Sequence, residues 1–177
     1  HHYRCNEKII AVNNQKYYNN KLVINSQSQA DTPLIFKNIA GNTTNYKNTA
    51  PREAEEIIEF IKDNPDKSIG VITPFTNQKE LIHAMLQENG MKDVPCGTVH
   101  AFQGDEKDVV LFSLALTEQT GQGTYDWLKN NKELINVATS RAKEQLVILS
   151  DAKELDRLHT ENSDDIYELV KYVQTNG

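Results

Sequence analysis

The sequence predicts an α/β fold in which helices cover both faces of a mostly parallel sheet, so that the domain has three layers. Short apolar runs rich in β-branched residues recur along the chain, and stretches with helical spacing separate them. Parallel strands need crossover connections, which helices usually supply, so this alternation favours a parallel sheet. With 177 residues, of which 38% are apolar and 25% charged, the chain suits one ordinary domain with a substantial core.

The individual elements follow from local patterns. Strands are expected at Leu34–Ile39, which alternates like an edge strand, and at Ser68–Thr73, Val94–Val99, Val109–Ala115 and Leu146–Leu149. A helix is expected to begin with Pro51 in its first turn and Asn48 or Thr49 as its cap. Further helices are expected at Thr76–Asn89, which Gly90 closes, from Tyr125 onward, and at Asp164–Val173.

Composition excludes several classes of protein. The formal net charge of −6 argues against a general duplex-binding protein, which usually carries a basic excess, but it is compatible with a narrow nucleic-acid groove. No run is long and apolar enough to span a membrane, and the start of the sequence has no signal-peptide pattern. Cys5 and Cys96 lack the spacing of a metal site or a disulfide framework, so we expect a reducing, cytoplasmic setting. The abrupt start suggests a piece of a longer protein.

Polar residues that suit phosphate binding follow two of the expected strands. In Thr98–Lys107, Thr98 and His100 can donate to phosphates, Gly104 lets backbone amides approach an anion, and Glu106 can accept from sugar hydroxyls. An ordinary polar loop is the alternative interpretation of this stretch.

The stretch Ile72–Gln78 also ends a strand, and Thr76 is a candidate cap for the helix that follows. A helix start near Gln78 suits a phosphate of a nucleic-acid backbone. Phe75 could stack on a base or simply belong to the core.

Arg141 lies between a helical stretch and the apolar run Leu146–Leu149. The guanidinium of an arginine has a permanent charge and a forked set of donors that match phosphate oxygens. A solvated arginine at a helix end is the alternative interpretation.

Four stretches together carry a family resemblance: Tyr3-Arg4, Ile72-Thr-Pro-Phe75, Thr98–Asp108 and Asn136–Lys143, in this order. They resemble the second RecA-like domain of superfamily 1 helicases, which has a P-loop NTPase-type fold. The similarity is strongest to the branch with the nonsense-mediated decay, tRNA-splicing and Okazaki-fragment-processing helicases. It implies a RecA-like domain over residues 1–151 and a helical extension over 152–177 that packs on it.

The resemblance also implies roles for single residues. Tyr3 corresponds to the tyrosine that stacks on the adenine of ATP, and Arg4 and Arg141 to the arginines that reach its γ-phosphate, with Arg141 as the arginine finger. Glu106 corresponds to the acidic residue near the ribose, and Gly104 lies close to the phosphates. Residues that correspond to the grip on single-stranded DNA or RNA are Pro74, Phe75, Thr98 and His100. Family members often have His-Pro where this chain has Asn6-Glu7.

The sequence lacks two parts of such a motor. It contains neither the glycine-rich phosphate loop nor the Asp-Glu pair that holds Mg²⁺. In the family both belong to an upstream RecA-like domain of the same chain, which binds most of the ATP and Mg²⁺. We therefore predict that the chain alone does not hydrolyse ATP. A degenerate helicase-like binding module without motor activity and a free-standing α/β nucleotide-binding or sensor domain are the alternatives.

Overall fold

The computed structural model describes residues 33–99 and 105–177, and within these ranges five strands form one sheet. The strands are β1 Leu34–Asn38, β2 Ile69–Ile72, β3 Cys96–Gly97, β4 Lys107–Ser113 and β5 Ala142–Ser150. The helices are α1 Pro51–Asp63, α2 Thr76–Glu88, α3 Gln122–Leu128, α4 Lys132–Ser140, α5 Ala152–Leu158 and α6 Asp165–Asn176. The spatial order of the strands is β1-β5-β4-β2-β3.

All four strand pairings are parallel, which confirms the predicted α/β class. The strand β4 lies at the centre, between β5 and β2, and among the strands of the described ranges β1 lies at one edge, as its alternating sequence predicts. Residues of β4 alternate between the two faces of the sheet, because successive side chains of a strand point in opposite directions. Val110 and Phe112 belong to one apolar cluster, and Val109 and Leu111 to the other.

Each face of the sheet is covered by its own helices. The helices α3, α4, α5 and α6 contribute to the first cluster, and α1 and α2 to the second. In α1, Ala54, Ile57 and Ile58 are buried against the sheet at the helical spacing seen in the sequence. The result is a three-layer domain, as predicted.

The predicted helix starts are only partly correct. Pro51 is the first residue of α1, as expected, but the N-cap is Ala50, which has no polar side chain. The first turn is instead capped from outside the helix, where Asn42 Oδ1 accepts from Arg52 N at 2.7 Å. Thr49 instead donates from Oγ1 to Tyr46 O at 2.7 Å, so its hydroxyl is used within the preceding loop. Thr76 is likewise the first residue of α2 and not its cap.

The end of α2 agrees with the prediction. Gly90 has a φ of +70°, the left-handed conformation in which glycine costs least, and it follows the C-cap residue.

The strand predicted over Val94–Val99 is shorter than expected. Only Cys96–Gly97 pairs with β2. Pro95, which precedes it, has no amide hydrogen to donate, although its carbonyl accepts from Val71 N at 2.9 Å. None of the helices in the two described ranges combines the length and apolar character needed to cross a membrane.

Candidate nucleotide and nucleic-acid sites

Arg141 occupies the junction between α4 and β5. It is the C-cap residue of α4, whose first turn is capped by the Asn131 side chain accepting from Leu134 N at 3.1 Å. The carbonyl of Arg141 accepts from Lys107 N at 2.8 Å, at the start of β4. A helix and two central strands therefore hold the backbone of this arginine in place.

The half-buried guanidinium of Arg141 donates from Nη1 to Ser140 Oγ at 3.2 Å. A hydroxyl orients the guanidinium without neutralising its charge. Glu106, also half-buried, directly precedes β4. Lys107 pairs with Ala142 in the neighbouring strand. Glu106 and Arg141, which directly precede these two residues, therefore lie next to each other. The fold thus brings two of the predicted nucleotide-site residues to the amino-terminal edge of the sheet.

The predicted nucleic-acid residues lie at the opposite edge. Pro74 and Phe75 follow the end of β2, and Thr98, which is half-buried, follows the end of β3. Thr73 N donates to Gly97 O at 3.1 Å, so the two strand ends are adjacent. The seven residues of β4 separate the two edges, and the distance from the first to the last is about 20 Å at the usual rise of a strand.

The structure corrects the expectation for Gln78. Its side chain is fully buried, and its amide bonds Ala50 N at 2.8 Å, Ala50 O at 3.1 Å and Ser113 Oγ at 3.1 Å. These contacts tie the start of α1 to the end of β4 and leave no surface for a nucleic acid. The sequence suggested otherwise because a glutamine in the first turn of a helix is usually exposed.

Phe75 also differs from its predicted stacking role. Only 5% of it is exposed, and it belongs to the first apolar cluster. The interpretation of Phe75 as a core aromatic therefore agrees with the structure.

A cavity of about 510 Å³ lies between the amino-terminal ends of α2 and α3. Its lining residues are Asn48, Pro74, Phe75, Thr76, Asn77, Gly123, Thr124 and Trp127. Trp127 is 62% exposed, and its ring lies 6.3 Å from that of Phe75, with an angle of 33° between the planes. Trp127 is not among the residues that the sequence singled out for binding. The available signal was its position two residues after Tyr125, because residues two positions apart point to opposite sides of a helix.

A buried acid lies near the carboxyl end of β4. Glu53 Oε1 accepts from Ser113 Oγ at 2.8 Å and from Ala115 N at 2.9 Å. Burial raises the pKa of Glu53 to about 8; these hydrogen bonds lower it, and the charge of Asp151 raises it. No hydrogen-bond partner is found within the described part of the chain for Glu53 Oε2, which is buried.

The remaining predicted site residues, Tyr3, Arg4, His100 and Gly104, lie outside the described residues. Among residues 33–99 and 105–177, no group of three His, Cys, Asp or Glu side chains could hold a metal ion.

Comparison with known proteins identifies the family. A family model described as an AAA domain matches residues 1–153. The chain belongs to this AAA domain family. An uncharacterised ATP-dependent helicase of Methanocaldococcus jannaschii is 28% identical to it over 203 residues, which cover 98% of this chain and 28% of the relative. The ATP-dependent helicase upf1 of Schizosaccharomyces pombe is 32% identical over 143 residues, which cover 72% of this chain and 15% of the relative.

The structural comparison agrees with this family. The C-terminal domain of a possible DNA helicase from Lactobacillus plantarum WCFS1 has the same fold, with a TM-score of 0.53 at 15% identity. The match covers 84% of this chain and 86% of that one. The resemblance of this AAA domain to the second RecA-like domain of superfamily 1 helicases is thus confirmed. The domain spans less than a third of the length of either helicase relative.

Proposed function

We propose that this AAA domain is the C-terminal motor domain of an ATP-dependent superfamily 1 helicase. In this role it works with an upstream RecA-like domain of the same polypeptide on single-stranded DNA or RNA. The observation that carries the proposal is the position of Arg141, a half-buried arginine whose backbone is held between a helix end and two central strands. Such a fixed cation suits the charge that develops on a transferring phosphoryl group.

The nucleotide site of this proposal lies at the amino-terminal edge of the sheet. ATP is the substrate, held in the cleft between the two domains. Arg141 stabilises negative charge on its terminal phosphate, and Glu106 beside it accepts from the ribose hydroxyls. Three further residues complete the site in this proposal, with the roles that the family resemblance implies. Tyr3 stacks on the adenine, Arg4 binds the γ-phosphate, and Gly104 lies close to the phosphates.

The nucleic-acid grip of this proposal lies at the other edge of the sheet, with Pro74 and Thr98 among its residues. A single nucleic-acid strand that both domains hold moves when the cleft between the domains closes or opens. Attraction of Arg141 to the substrate favours the closed state, and loss of the terminal phosphate removes that attraction. The separation of the two sites by the length of the central strands supports such a division of roles.

The domain's own described residues do not fit a Mg²⁺ site, because no suitable group of acidic or histidine side chains occurs among them. In this proposal the upstream domain therefore binds Mg²⁺. That the chain alone does not hydrolyse ATP stays a prediction. Magnesium-dependent ATPase of the 177-residue chain above an Arg141→Ala control would contradict it.

The proposal is tested by Arg141→Ala in the full-length polypeptide. We expect strand-stimulated ATP turnover to fall by about a thousandfold, the effect typical of an arginine finger. Binding of single strands, measured by fluorescence anisotropy of a labelled oligonucleotide, should change little because Arg141 lies at the other edge of the sheet.

Lys143→Ala is the matched control. Lys143 is a cation two residues further on, and its Nζ lies 3.5 Å from Asp108 Oδ1. Removal of the Lys143 side chain should leave most of the ATP turnover intact. Near-normal turnover of Arg141→Ala would refute the assignment of Arg141. A wild-type polypeptide that binds single-stranded nucleic acid but hydrolyses no ATP would instead favour the alternative of a degenerate binding module.

A further inference from the structure

The nucleic-acid face has an exposed aromatic residue that its proposed grip does not include. Within the described ranges, the large apolar side chains that are exposed are Tyr46 and Trp127. Trp127 lines the same cavity as Pro74, whereas Phe75 at the back of this cavity is packed into the core. An aromatic ring must offer an accessible face to stack on a base, and here Trp127 does so where Phe75 does not.

The position of Trp127 is set by the inner face of α3. Tyr125 and Leu128 are fully buried in the first apolar cluster. Tyr125 Oη lies 2.7 Å from each carboxylate oxygen of Asp164, and Gln122 Nε2 donates to Leu158 O at 2.9 Å. These contacts anchor the helix to the carboxyl-terminal helices. The tryptophan is therefore presented by a rigid element, which lowers the entropy cost of binding.

The cavity beside Trp127 has the size and chemistry of a site for a planar ring. Its volume of about 510 Å³ lies within the range of small-ligand pockets. Two aromatic rings, those of Trp127 and Phe75, form one wall. Four polar side chains, those of Asn48, Thr76, Asn77 and Thr124, share the remaining lining with Pro74 and Gly123. Such side chains can reach the hydrogen-bonding edge of a base, whereas a purely apolar groove would suit a protein side chain.

We infer that Trp127 is the base-stacking residue of this domain, and that the cavity between α2 and α3 takes one unpaired nucleobase of a single strand. The inference rests on the proposed function and deepens it by naming the aromatic contact. Every base has a stacking face, so we expect the site to tolerate different sequences. Phe75 then acts as a support behind the indole and not as a stacking partner.

The test uses strand-stimulated ATPase of the full-length polypeptide with thymidylate and uridylate oligomers of about 16 nucleotides. We expect Trp127→Ala to raise the oligomer concentration for half-maximal stimulation about tenfold, which corresponds to about 1.4 kcal/mol of lost stacking. Trp127→Phe should restore most of the affinity, because it keeps an aromatic face. Tyr46→Ala is the matched control, since Tyr46 is 75% exposed but does not line this cavity, and it should leave stimulation unchanged.

An abasic oligomer with the same number of phosphates separates stacking from a structural effect. Wild type and Trp127→Ala should bind this oligomer equally, because it has no base to stack. The inference is wrong if Trp127→Ala matches the wild type on thymidylate and uridylate, or if it loses as much affinity for the abasic strand. If single strands do not stimulate the wild-type ATPase at all, the proposed function itself fails.

Discussion

At the scale of single residues, the fully buried Glu53 is the group most sensitive to solution conditions. Its pKa of about 8 means that it is mainly protonated at neutral pH in the folded chain, whereas a solvated glutamate with a pKa of 4.5 is ionised. Between these two values unfolding releases a proton, so the contribution of Glu53 to stability falls as the pH rises. The contribution is fully present below about pH 4.5, and the loss above pH 8 is at most about 5 kcal/mol.

We expect Glu53→Gln to remove this pH dependence. A glutamine can still accept from Ser113 Oγ and Ala115 N, but it has no charge to bury. The variant should match the wild type near pH 4.5 and become progressively more stable than it toward pH 8. Urea unfolding across this range measures the difference. Glu55→Gln, on the exposed side of the same helix, is the control, and a Glu53→Gln effect independent of pH would contradict the account.

At the scale of elements, α3 depends on tertiary contacts. It has seven residues, too few to be stable as an isolated helix. Asp164 is the main anchor: it caps α6 by accepting from Tyr167 N at 3.0 Å, and it bonds both Tyr125 Oη and His159 Nδ1. Burial, followed by the hydrogen bond to Asp164, raises the pKa of Tyr125, so the phenol stays a donor. One buried carboxylate thus joins α3 to the start of α6.

Tyr125→Phe should therefore lower the free energy of unfolding by about 1.5–3 kcal/mol, the usual value of a hydrogen bond to a charged group. Denaturant unfolding followed by circular dichroism gives this quantity. Tyr46→Phe removes the same hydroxyl from an exposed ring and should change stability by less than about 0.5 kcal/mol. Equal effects of the two substitutions would show that the Tyr125–Asp164 contact contributes nothing.

At the scale of the whole molecule, the carboxyl-terminal helices complete the core. Six apolar residues of α5 and α6 are buried in the first cluster with the sheet: Leu155, Leu158, Ile166, Leu169, Val170 and Val173. At about 1.5–3 kcal/mol for each buried side chain, their loss exceeds or matches the stability of an ordinary domain. The extension predicted over residues 152–177 thus contributes two of the four helices that form this layer of the fold.

A chain that ends at Asp151 should not unfold cooperatively at any temperature. Its exposed apolar face should bind a hydrophobic dye. Thermal melts of this truncated chain and of the 177-residue chain provide the comparison. A cooperative transition at the same midpoint would show instead that residues 1–151 form a self-sufficient domain.

What the sequence alone determined was the class of fold and the edges at which chemistry can occur. Apolar periodicity is local, so β2, β4, β5, α2 and α6 were predictable within a few residues. Loops that follow parallel strands lie at the same edge of a sheet, so Pro74 and Thr98, each after an expected strand, belong to one edge. That the two loops are neighbours follows only from the pairing of β2 with β3. The motif around Arg141 could carry the family resemblance because its residues are neighbours in the chain.

Only the tertiary structure decided which side chains remain available for binding. Gln78 looks like a surface residue in sequence, but contacts with Ala50 and with the distant Ser113 bury it. For Phe75 the sequence allowed either a stacking role or a place in the core, and the apolar cluster decides for the core. Trp127 points outward from α3, because Tyr125 and Leu128 fill the inner face of this helix. Burial depends on contacts between residues far apart in the chain, and a local pattern indicates the face of a helix on which a residue lies but not what covers that face.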